Sequence, residues 1–198
     1  MESDVDLLAR LRSGDEEAFV MMVRRYNGSL LRVARSYVPS DSVAEEAVQE
    51  TWMGVVRGVD RFEGRSSFKT WLFRILVNRA RSAGVREPRT SELTDDQPAV
   101  DPSRFNAQGA WAEPLAPWES DSDDRLVAAT WSKTLGDALR VLPPRQREIV
   151  VLRDVEGMAS GDVCDVLGIT EGNQRVLLHR GRSRLRSLLE ADLVARGR

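Results

Sequence analysis

The feature that most constrains this chain is a pair of helical patterns separated by a glycine turn near the C-terminus. Pro143 and Pro144 suit the first turn of a helix and not its interior, so a helix is predicted to begin there. A short helical pattern follows over residues 161–167, and the turn 168–170 leads into a long helix that runs to about Leu189. Two helices joined by a short glycine-containing turn are typical of the helix-turn-helix, whose second helix enters the DNA major groove.

The long helix also has a composition that suits DNA. Ser160 and Thr170 are the predicted N-caps of the two helices. Arginine forks match phosphates and guanine edges, and Asn or Gln matches adenine. The Arg, Asn and Gln residues of this helix are Asn173, Gln174, Arg175, Arg180, Arg182, Arg184 and Arg186. The alternative interpretation is an amphipathic helix with an ordinary solvated basic face.

The N-terminal half contains further amphipathic patterns, and no strand is predicted. Helices are predicted over residues 4–11, 15–26, 30–38, 42–56 and 68–81. Gly28 and Ser29 are predicted to separate the second helix from the third. Ser42, with Glu45 three residues later, forms a capping-box pattern at the start of the fourth. The fold class is therefore predicted to be all-α.

The charge distribution divides the chain into three parts. Residues 88–124 hold nine acidic residues against two arginines, a net charge of −7, so the other residues carry +5 of the overall −2. The same stretch contains five prolines and no helical periodicity, which indicates a tether and not a packed element. We therefore predict two small helical domains, 1–87 and 125–198, joined by a long acidic linker, 88–124.

Composition gives little support to an enzyme. Cys164 and His179 are the only cysteine and the only histidine, and the sequence has no glycine-rich phosphate loop and no paired-carboxylate motif. We expect no catalytic residue, metal site, cofactor or small-molecule substrate. The sequence also has no apolar run long enough to span a bilayer and no signal peptide, so a cytoplasmic location without membrane insertion is expected.

The motifs together resemble bacterial RNA polymerase sigma factors of the extracytoplasmic-function group. LPPRQREIV at 142–150, VLGITEG at 166–172 and LHRGRSRLR at 178–186 are similar to the domain that reads the −35 element. AEEAVQETW at 44–52 and the stretch 61–81 are similar to the domain that docks on polymerase and opens the −10 element. The resemblance covers all of the chain except residues 88–124.

The resemblance implies a polymerase-binding surface in the N-terminal half. The segment 44–52 looks like the one that docks on the coiled coil of the polymerase β′ subunit. An acidic first helical turn also opposes the helix macrodipole in any protein, so charge alone does not decide the matter. The implied contacts with the RNA polymerase core are Glu45, Glu46, Gln49, Glu50 and Trp52.

The resemblance also implies a site for the single-stranded −10 element, with a pocket for an extruded base in the loop 61–67. Basic residues interleaved with aromatics suit a single strand, although core aromatics beside a solvated basic face would give the same pattern. For Trp71 the core interpretation is preferred. The implied DNA contacts are Arg61, Phe62, Arg65, Ser66, Lys69, Arg74, Asn78 and Arg81.

For the −35 element the resemblance implies contacts along the long C-terminal helix, which departs from the family pattern in one place. Gln174 stands where the family commonly has a buried Val, and helical spacing turns Gln174 inward and Val176 or Leu177 outward. Which face of the helix reads bases therefore stays open. The implied contacts are Thr170, Glu171, Asn173, Arg175, His179, Arg180 and Arg182.

A sigma factor directs RNA polymerase core to promoter DNA, and an anti-sigma factor is the expected inhibitor. The alternative is a helix-turn-helix regulator that never engages polymerase, which would leave the segment 45–52 without a role. Phe105, Trp111 and Trp118 in the linker are predicted to dock on polymerase, or to fold back on the protein's own domains.

Overall fold

The computed structural model describes residues 2–38, 40–84 and 124–196, and every regular element in these ranges is helical. The prediction of an all-α fold is confirmed. The linker residues Phe105, Trp111 and Trp118 lie outside the described ranges. The helices are α1 (Asp4–Arg12), α2 (Glu16–Ala34), α3 (Asp41–Gly58), α4 (Phe68–Gly84), α5 (Asp124–Val141), α6 (Pro144–Val150), α7 (Ser160–Leu167) and α8 (Glu171–Arg196), with a 3₁₀ turn at Val59–Arg61 and a π-helical turn at Val151–Val155.

Polar side chains fix the starts of several helices. Ser3 and Asp6 form a reciprocal capping box at α1, and Asp15 accepts hydrogen bonds from the first amides of α2. Ser67 Oγ accepts from the amide of Thr70, 3.0 Å away, at the start of α4. Because the first amides of a helix have no partner within the helix, these caps decide where each helix begins.

Three local predictions are wrong. The cap of α3 is Ser40, which accepts from the amide of Val43, so the capping box predicted at Ser42 does not form. Helix α2 continues through Gly28, because its apolar face runs unbroken into the core and outweighs the glycine's unfavourable propensity. Ser160 is the first residue of α7 and not its N-cap, which is Ala159.

The chain forms two compact units. The first combines the described part of Met1–Glu92 with the segment Val151–Gln174, and the second combines the described parts of Leu93–Val150 and Arg175–Arg198. The helix-turn-helix segment thus contributes to both units. The sequence-based division into 1–87, 88–124 and 125–198 remains a prediction.

The core of the first unit lies among α1, α2, α3 and α4. Apolar side chains from all four helices are fully buried, among them Leu7, Met22, Leu30, Val55, Leu72 and Phe73. Helix α4 is the central element, since it packs on α2, on α3 and on α7. Its buried arc includes Phe73, Leu76, Val77 and Ala80, which leaves one polar stripe exposed.

The second unit contains α5, α6 and the part of α8 that follows Gln174. Leu142, Ile149 and Val150 are buried in it. Helix α8 passes close to α6 at Gly181, where a Cβ would lie 2.8 Å from Val150 Cγ2 and 3.1 Å from the Gln146 carbonyl oxygen. Only glycine fits this approach without a shift of the neighbouring atoms.

Candidate nucleic-acid and protein interfaces

A groove of about 580 Å³ runs between α2 and α3 in the first unit. Its floor holds the Trp52 ring, which makes an edge contact with Phe19 at a centroid distance of 5.6 Å. The Trp52 indole nitrogen donates to Asn27 Oδ1 at 3.2 Å. Met53 and Val56 lie along the groove and are 49% and 51% exposed. Large apolar side chains kept half in water beside a concave surface are typical of a protein-binding site.

The structure places the five residues predicted to bind polymerase in different environments. Glu45 and Gln49 are exposed and line the groove, together with the buried Trp52. Glu46 is exposed but does not line it. Glu50 Oε2 lies 3.8 Å from Arg79 Nη1 of α4, and the two side chains form an exposed ion pair. Trp52 therefore forms part of the wall of the groove and exposes little surface to a partner.

Sequence reasoning missed the apolar half of this groove. The α2 side chains Val23 and Leu31 line it opposite Met53 and Val56 of α3. Because Val56 continues the apolar pattern of α3, the sequence places it with the core residues. A sequence pattern cannot separate a residue facing the core from one facing an adjacent groove.

The backbone leading into the loop before α4 accepts hydrogen bonds from Arg12, a residue that the sequence analysis did not predict to have a role there. Arg12 Nε donates to the carbonyl oxygen of Val59 at 3.1 Å, and its Nη2 donates to the carbonyl oxygen of Phe62. The Phe62 ring is half-buried and lies 4.9 Å from Trp71 between ring centroids. These contacts fix the backbone of the predicted base pocket, while Arg61 stays exposed.

The other predicted −10 contacts fall on two different faces. Arg74 and Asn78 are exposed, Arg81 is half-buried, and their spacing of four and three residues puts them on one stripe of α4. Arg65 is exposed and pairs with Glu63 at 3.0 Å, and Ser66 is half-buried. Lys69 points elsewhere, because its Nζ donates to the carbonyl oxygen of Glu156 at 2.8 Å and lies 5.8 Å from the Phe73 ring centre.

The turn of the helix-turn-helix forms as predicted. Gly168 ends α7 in the left-handed conformation, with φ of 67°, and its amide donates to the carbonyl oxygen of Cys164. Thr170 Oγ1 accepts from the amide of Asn173 at 3.3 Å and caps α8. Thr170, Glu171, Asn173 and Arg175 are all exposed. The first turn of α8 therefore offers a row of polar side chains to a ligand.

Further along α8 the predicted contacts are less open. His179, Arg180 and Arg182 are half-buried. The inward orientation predicted for Gln174 is confirmed, since only 2% of its surface is exposed, and Val176 is outward with 49% exposed. Leu177 is half-buried. The exposed residues in the first two turns of the helix are therefore Asn173, Arg175 and Val176, in addition to the N-terminal Glu171 and Gly172.

Neither a metal centre nor a reactive thiol stands out in the part of the chain that the structure describes. The described residues contain no group of three or more His, Cys, Asp or Glu side chains arranged to hold a metal ion. Cys164 is half-buried, and burial raises the pKa of its thiol, an effect that Glu171 and Asp165 reinforce. A raised pKa keeps the thiol protonated and weakly nucleophilic. None of the helices in the described ranges has the length and apolar character that crossing a membrane requires.

Family models match both halves of the chain. The model for sigma-70 region 2 matches residues 22–89, and the model for sigma-70 region 4 matches residues 132–185. The chain is 28% identical over 180 residues to the ECF RNA polymerase sigma-E factor of Escherichia coli, covering 91% of each protein. It is 28% identical over 192 residues to the RNA polymerase sigma-H factor of Pseudomonas aeruginosa, covering 96% of this chain and 95% of that one.

Two solved structures resemble the chain over most of its length. The structure of CnrH in complex with the cytosolic domain of CnrY matches with a TM-score of 0.64 and 26% identity, covering 96% of this chain and 99% of the matched one. The sigma factor RpoE of Bartonella quintana, in complex with the anti-sigma factor NepR, matches with a TM-score of 0.61 and 26% identity, covering 88% and 98%.

Proposed function

Because the chain belongs to the extracytoplasmic-function group of RNA polymerase sigma factors, we propose that its surfaces divide promoter recognition between them. Residues 1–87 dock on the polymerase core and capture the −10 element, and residues 125–198 read the −35 element. The linker 88–124 connects the two. A sigma factor of this kind acts in the cytoplasm, on polymerase and promoter DNA, and has no catalytic residue, metal or cofactor of its own.

The observation that carries polymerase docking is the groove between α2 and α3. It places exposed Met53 and Val56 beside the exposed polar side chains of Glu45 and Gln49. An apolar centre with a polar rim is the anatomy of a protein interface, and it suits a helical partner such as the β′ coiled coil. A DNA-binding regulator that never engages polymerase has no use for this surface.

A charge placed in the groove tests this assignment. Val56→Glu puts a carboxylate into the apolar centre of the interface, where burying it without a partner is costly. The variant should bind core RNA polymerase at least roughly tenfold more weakly than the wild type, which corresponds to about 1.4 kcal/mol. Because Val56 is half-exposed in the free protein, its thermal unfolding should change little.

The matched control is Val5→Glu, which adds the same charge to an exposed valine of α1 that does not line the groove. This variant should bind the core enzyme as the wild type does. Equal binding by the wild type and both variants would contradict docking through the groove. Absence of binding by the wild type itself would remove the sigma-factor function altogether.

For the −10 element we propose two groups of contacts. Arg74, Asn78 and Arg81 lie on one stripe of α4 and track the backbone of the single strand. The loop 61–67, with its backbone held by Arg12, receives the extruded base. The proposed −10 set also includes Arg61, Phe62, Arg65, Ser66 and Lys69.

For the −35 element we propose that the first turns of α8 read the duplex. Thr170, Asn173 and Arg175 are exposed at the start of the helix, where a recognition helix contacts base edges. Glu171 can accept from cytosine, and His179, Arg180 and Arg182 follow the phosphates. In this proposal the N-terminal turns of α8 read the bases, and the later turns position the helix on the DNA through phosphate contacts.

We further propose that an anti-sigma factor restrains this chain. The two similar structures are complexes, of CnrH with the cytosolic domain of CnrY and of RpoE with the anti-sigma factor NepR. Val176 offers such a partner an exposed apolar side chain beside the basic residues of α8. A co-purification of the chain with the product of an adjacent gene would identify the partner.

A further inference from the structure

Arg12 is the last residue of α1, and its side chain forms hydrogen bonds with the 3₁₀ turn that precedes the loop 61–67. Arg12 Nε donates to the carbonyl oxygen of Val59 at 3.1 Å, and Nη2 donates to the carbonyl oxygen of Phe62. The amide of Phe62 also donates to the Val59 carbonyl oxygen, at 3.2 Å. One guanidinium group therefore bridges the two ends of the turn, and both lone pairs of the Val59 carbonyl oxygen are engaged.

Helix α1 is itself anchored to α2, so the support behind Arg12 is a fixed one. At the start of α1, Asp4 pairs with Arg25 of α2 at 2.5 Å and accepts a hydrogen bond from the hydroxyl of Tyr26. Leu7 is fully buried beneath the helix. A planar guanidinium on an anchored helix loses little freedom when it binds, and it holds its acceptors in a defined place.

The loop that follows the turn is short and is fixed at both ends. Arg12 holds its first part at Phe62. At the far end, Ser67 Oγ accepts from the amide of Thr70 at 3.0 Å and caps α4. Four residues lie between Phe62 and Ser67, and among them Gly64 turns the chain with φ of 73°. With so few residues between two fixed ends, the position of Phe62 largely decides where the loop lies.

The side chain of Phe62 is also held, by aromatic rings of α4. Its half-buried ring lies 4.9 Å from Trp71 and 6.4 Å from Phe68 between ring centroids. Trp71 in turn lies against α3 at Gly58, where a Cβ would be 3.2 Å from Trp71 Cζ2. Arg12 thus fixes the backbone of Phe62 while these rings fix its side chain, which leaves the residue a single position beside the loop.

We propose that Arg12 is a positioning residue that determines which base the loop 61–67 accepts. It acts through the carbonyl oxygens of Val59 and Phe62 and makes no contact with DNA. The inference rests on the proposed capture of an extruded base by this loop. A site that selects its ligand must be held within roughly 0.5 Å of the productive geometry by hydrogen bonds behind the contacting groups. The Arg12 bridge supplies those hydrogen bonds.

A direct phosphate contact would make a different demand on position 12. A phosphate accepts the point charge of a lysine, so Arg12→Lys would preserve such a contact. A bridge between two carbonyl oxygens needs the planar fork of a guanidinium, which lysine lacks. Arg12→Lys therefore separates positioning from charge. Arg24→Ala is the matched control for Arg12→Ala, because it removes an exposed arginine from the middle of α2.

Hydrogen exchange of the free full-length chain, read by mass spectrometry, tests the bridge without DNA. In Arg12→Ala the amides of residues 59–67 should exchange roughly tenfold faster than in the wild type, because a hydrogen bond from a charged donor is worth about that factor. Arg12→Lys should resemble Arg12→Ala, and Arg24→Ala should resemble the wild type. Unchanged exchange in α3 verifies that each variant is folded. Equal exchange over residues 59–67 in the wild type and Arg12→Ala overturns the positioning role, whatever transcription the chain supports.

Base selection is then measured with core polymerase loaded with each variant and a degenerate single-stranded DNA library, sequenced before and after capture. The wild type should favour one base at one position by roughly fivefold or more, the discrimination that good base contacts give. Both Arg12→Ala and Arg12→Lys should reduce this preference to about twofold, while the total DNA captured changes little because the phosphate contacts of α4 remain. Arg24→Ala should keep the preference of the wild type.

The possible failures of the base-selection experiment are distinguishable. An undiminished base preference in Arg12→Ala overturns the inference and leaves the proposed −10 function intact. Weaker capture of all sequences by Arg12→Ala, restored in Arg12→Lys, identifies a phosphate contact and also overturns the positioning role. Absence of any base preference in the wild type overturns the proposed function of the loop, and the inference with it.

Discussion

Ser160 and Gln174 join the two helices of the helix-turn-helix through a hydrogen bond, in which the serine hydroxyl donates to Gln174 Oε1 at 2.9 Å. Gln174 is buried, and its Nε2 has no hydrogen-bond partner among the described residues. The polar residue that occupies a core position of α8 is therefore half-satisfied. This hydrogen bond accounts for the presence of a glutamine at a position where helical spacing demands an inward side chain.

Ser160→Ala should destabilise the protein by about 1–3 kcal/mol, because it leaves the buried oxygen of Gln174 without a donor. Gln174→Leu should cost less, since it removes the unsatisfied amide together with the hydrogen bond. A double-mutant cycle on urea unfolding measures the coupling. Additive effects of the two substitutions would show that the hydrogen bond contributes nothing.

Gly181→Ala should destabilise the second unit by about 1–3 kcal/mol, because the new Cβ meets Val150 Cγ2 at 2.8 Å. Gly136→Ala is the matched control in α5, since nothing lies within 4 Å of a Cβ there. Helix propensity predicts that the control gains about 0.5–1 kcal/mol. Thermal unfolding of the two variants should move in opposite directions, and equal shifts would contradict the close approach of α6 and α8.

Tyr26 should make the protein sensitive to alkali. Burial and the hydrogen bond that the hydroxyl donates to Asp4 raise the pKa of Tyr26 above its ordinary value. The neutral phenol is thus favoured in the folded state. Its contribution to the free energy of unfolding is complete below about pH 10 and is lost as the pH rises further. Urea unfolding of Tyr26→Phe should depend less on pH between about pH 9 and about pH 11. The same slope in both proteins would contradict the assignment.

Arg175 and Arg180 should differ in what they contribute to duplex binding. Arg175 is exposed near the start of α8, so Arg175→Ala should cost about 1–3 kcal/mol on the preferred −35 sequence and relax specificity. Arg180→Ala should weaken preferred and scrambled duplexes alike and reduce the salt dependence. Gel-shift titrations at two salt concentrations separate the two roles, and loss of specificity in Arg180→Ala alone would reverse them.

The sequence predicted the helices well because their apolar spacing and caps are local properties. Thr170 caps α8 and Gly168 ends α7, as the sequence indicated. Where two similar signals compete, local reasoning selects the wrong one. Ser40 and Ser42 are both good N-caps, and the choice of Ser40 shows that the cap is not settled by the i+3 glutamate alone.

The candidate surfaces were less predictable, because they depend on which helices become neighbours. Lys69 is a basic residue of the kind expected at an exposed DNA contact. Its ammonium group instead donates a hydrogen bond to the carbonyl oxygen of Glu156. The sequence predicts Trp52 as an interface residue. In the structure Trp52 is only 7% exposed, and its indole nitrogen donates a hydrogen bond to Asn27. No pattern within α3 or α4 contains the information about these partners from elsewhere in the chain.

Transcription reconstituted from core RNA polymerase and fragments of the source genome tests promoter recognition by this chain most directly. With the wild-type chain added, the mapped transcript starts should share two upstream elements at a fixed spacing. Val56→Glu should strongly reduce the yield of these transcripts, and Val5→Glu should preserve it. If the added chain produces no starts beyond those of core enzyme alone, it does not direct polymerase to promoters, and the proposed division of promoter recognition between its surfaces is wrong.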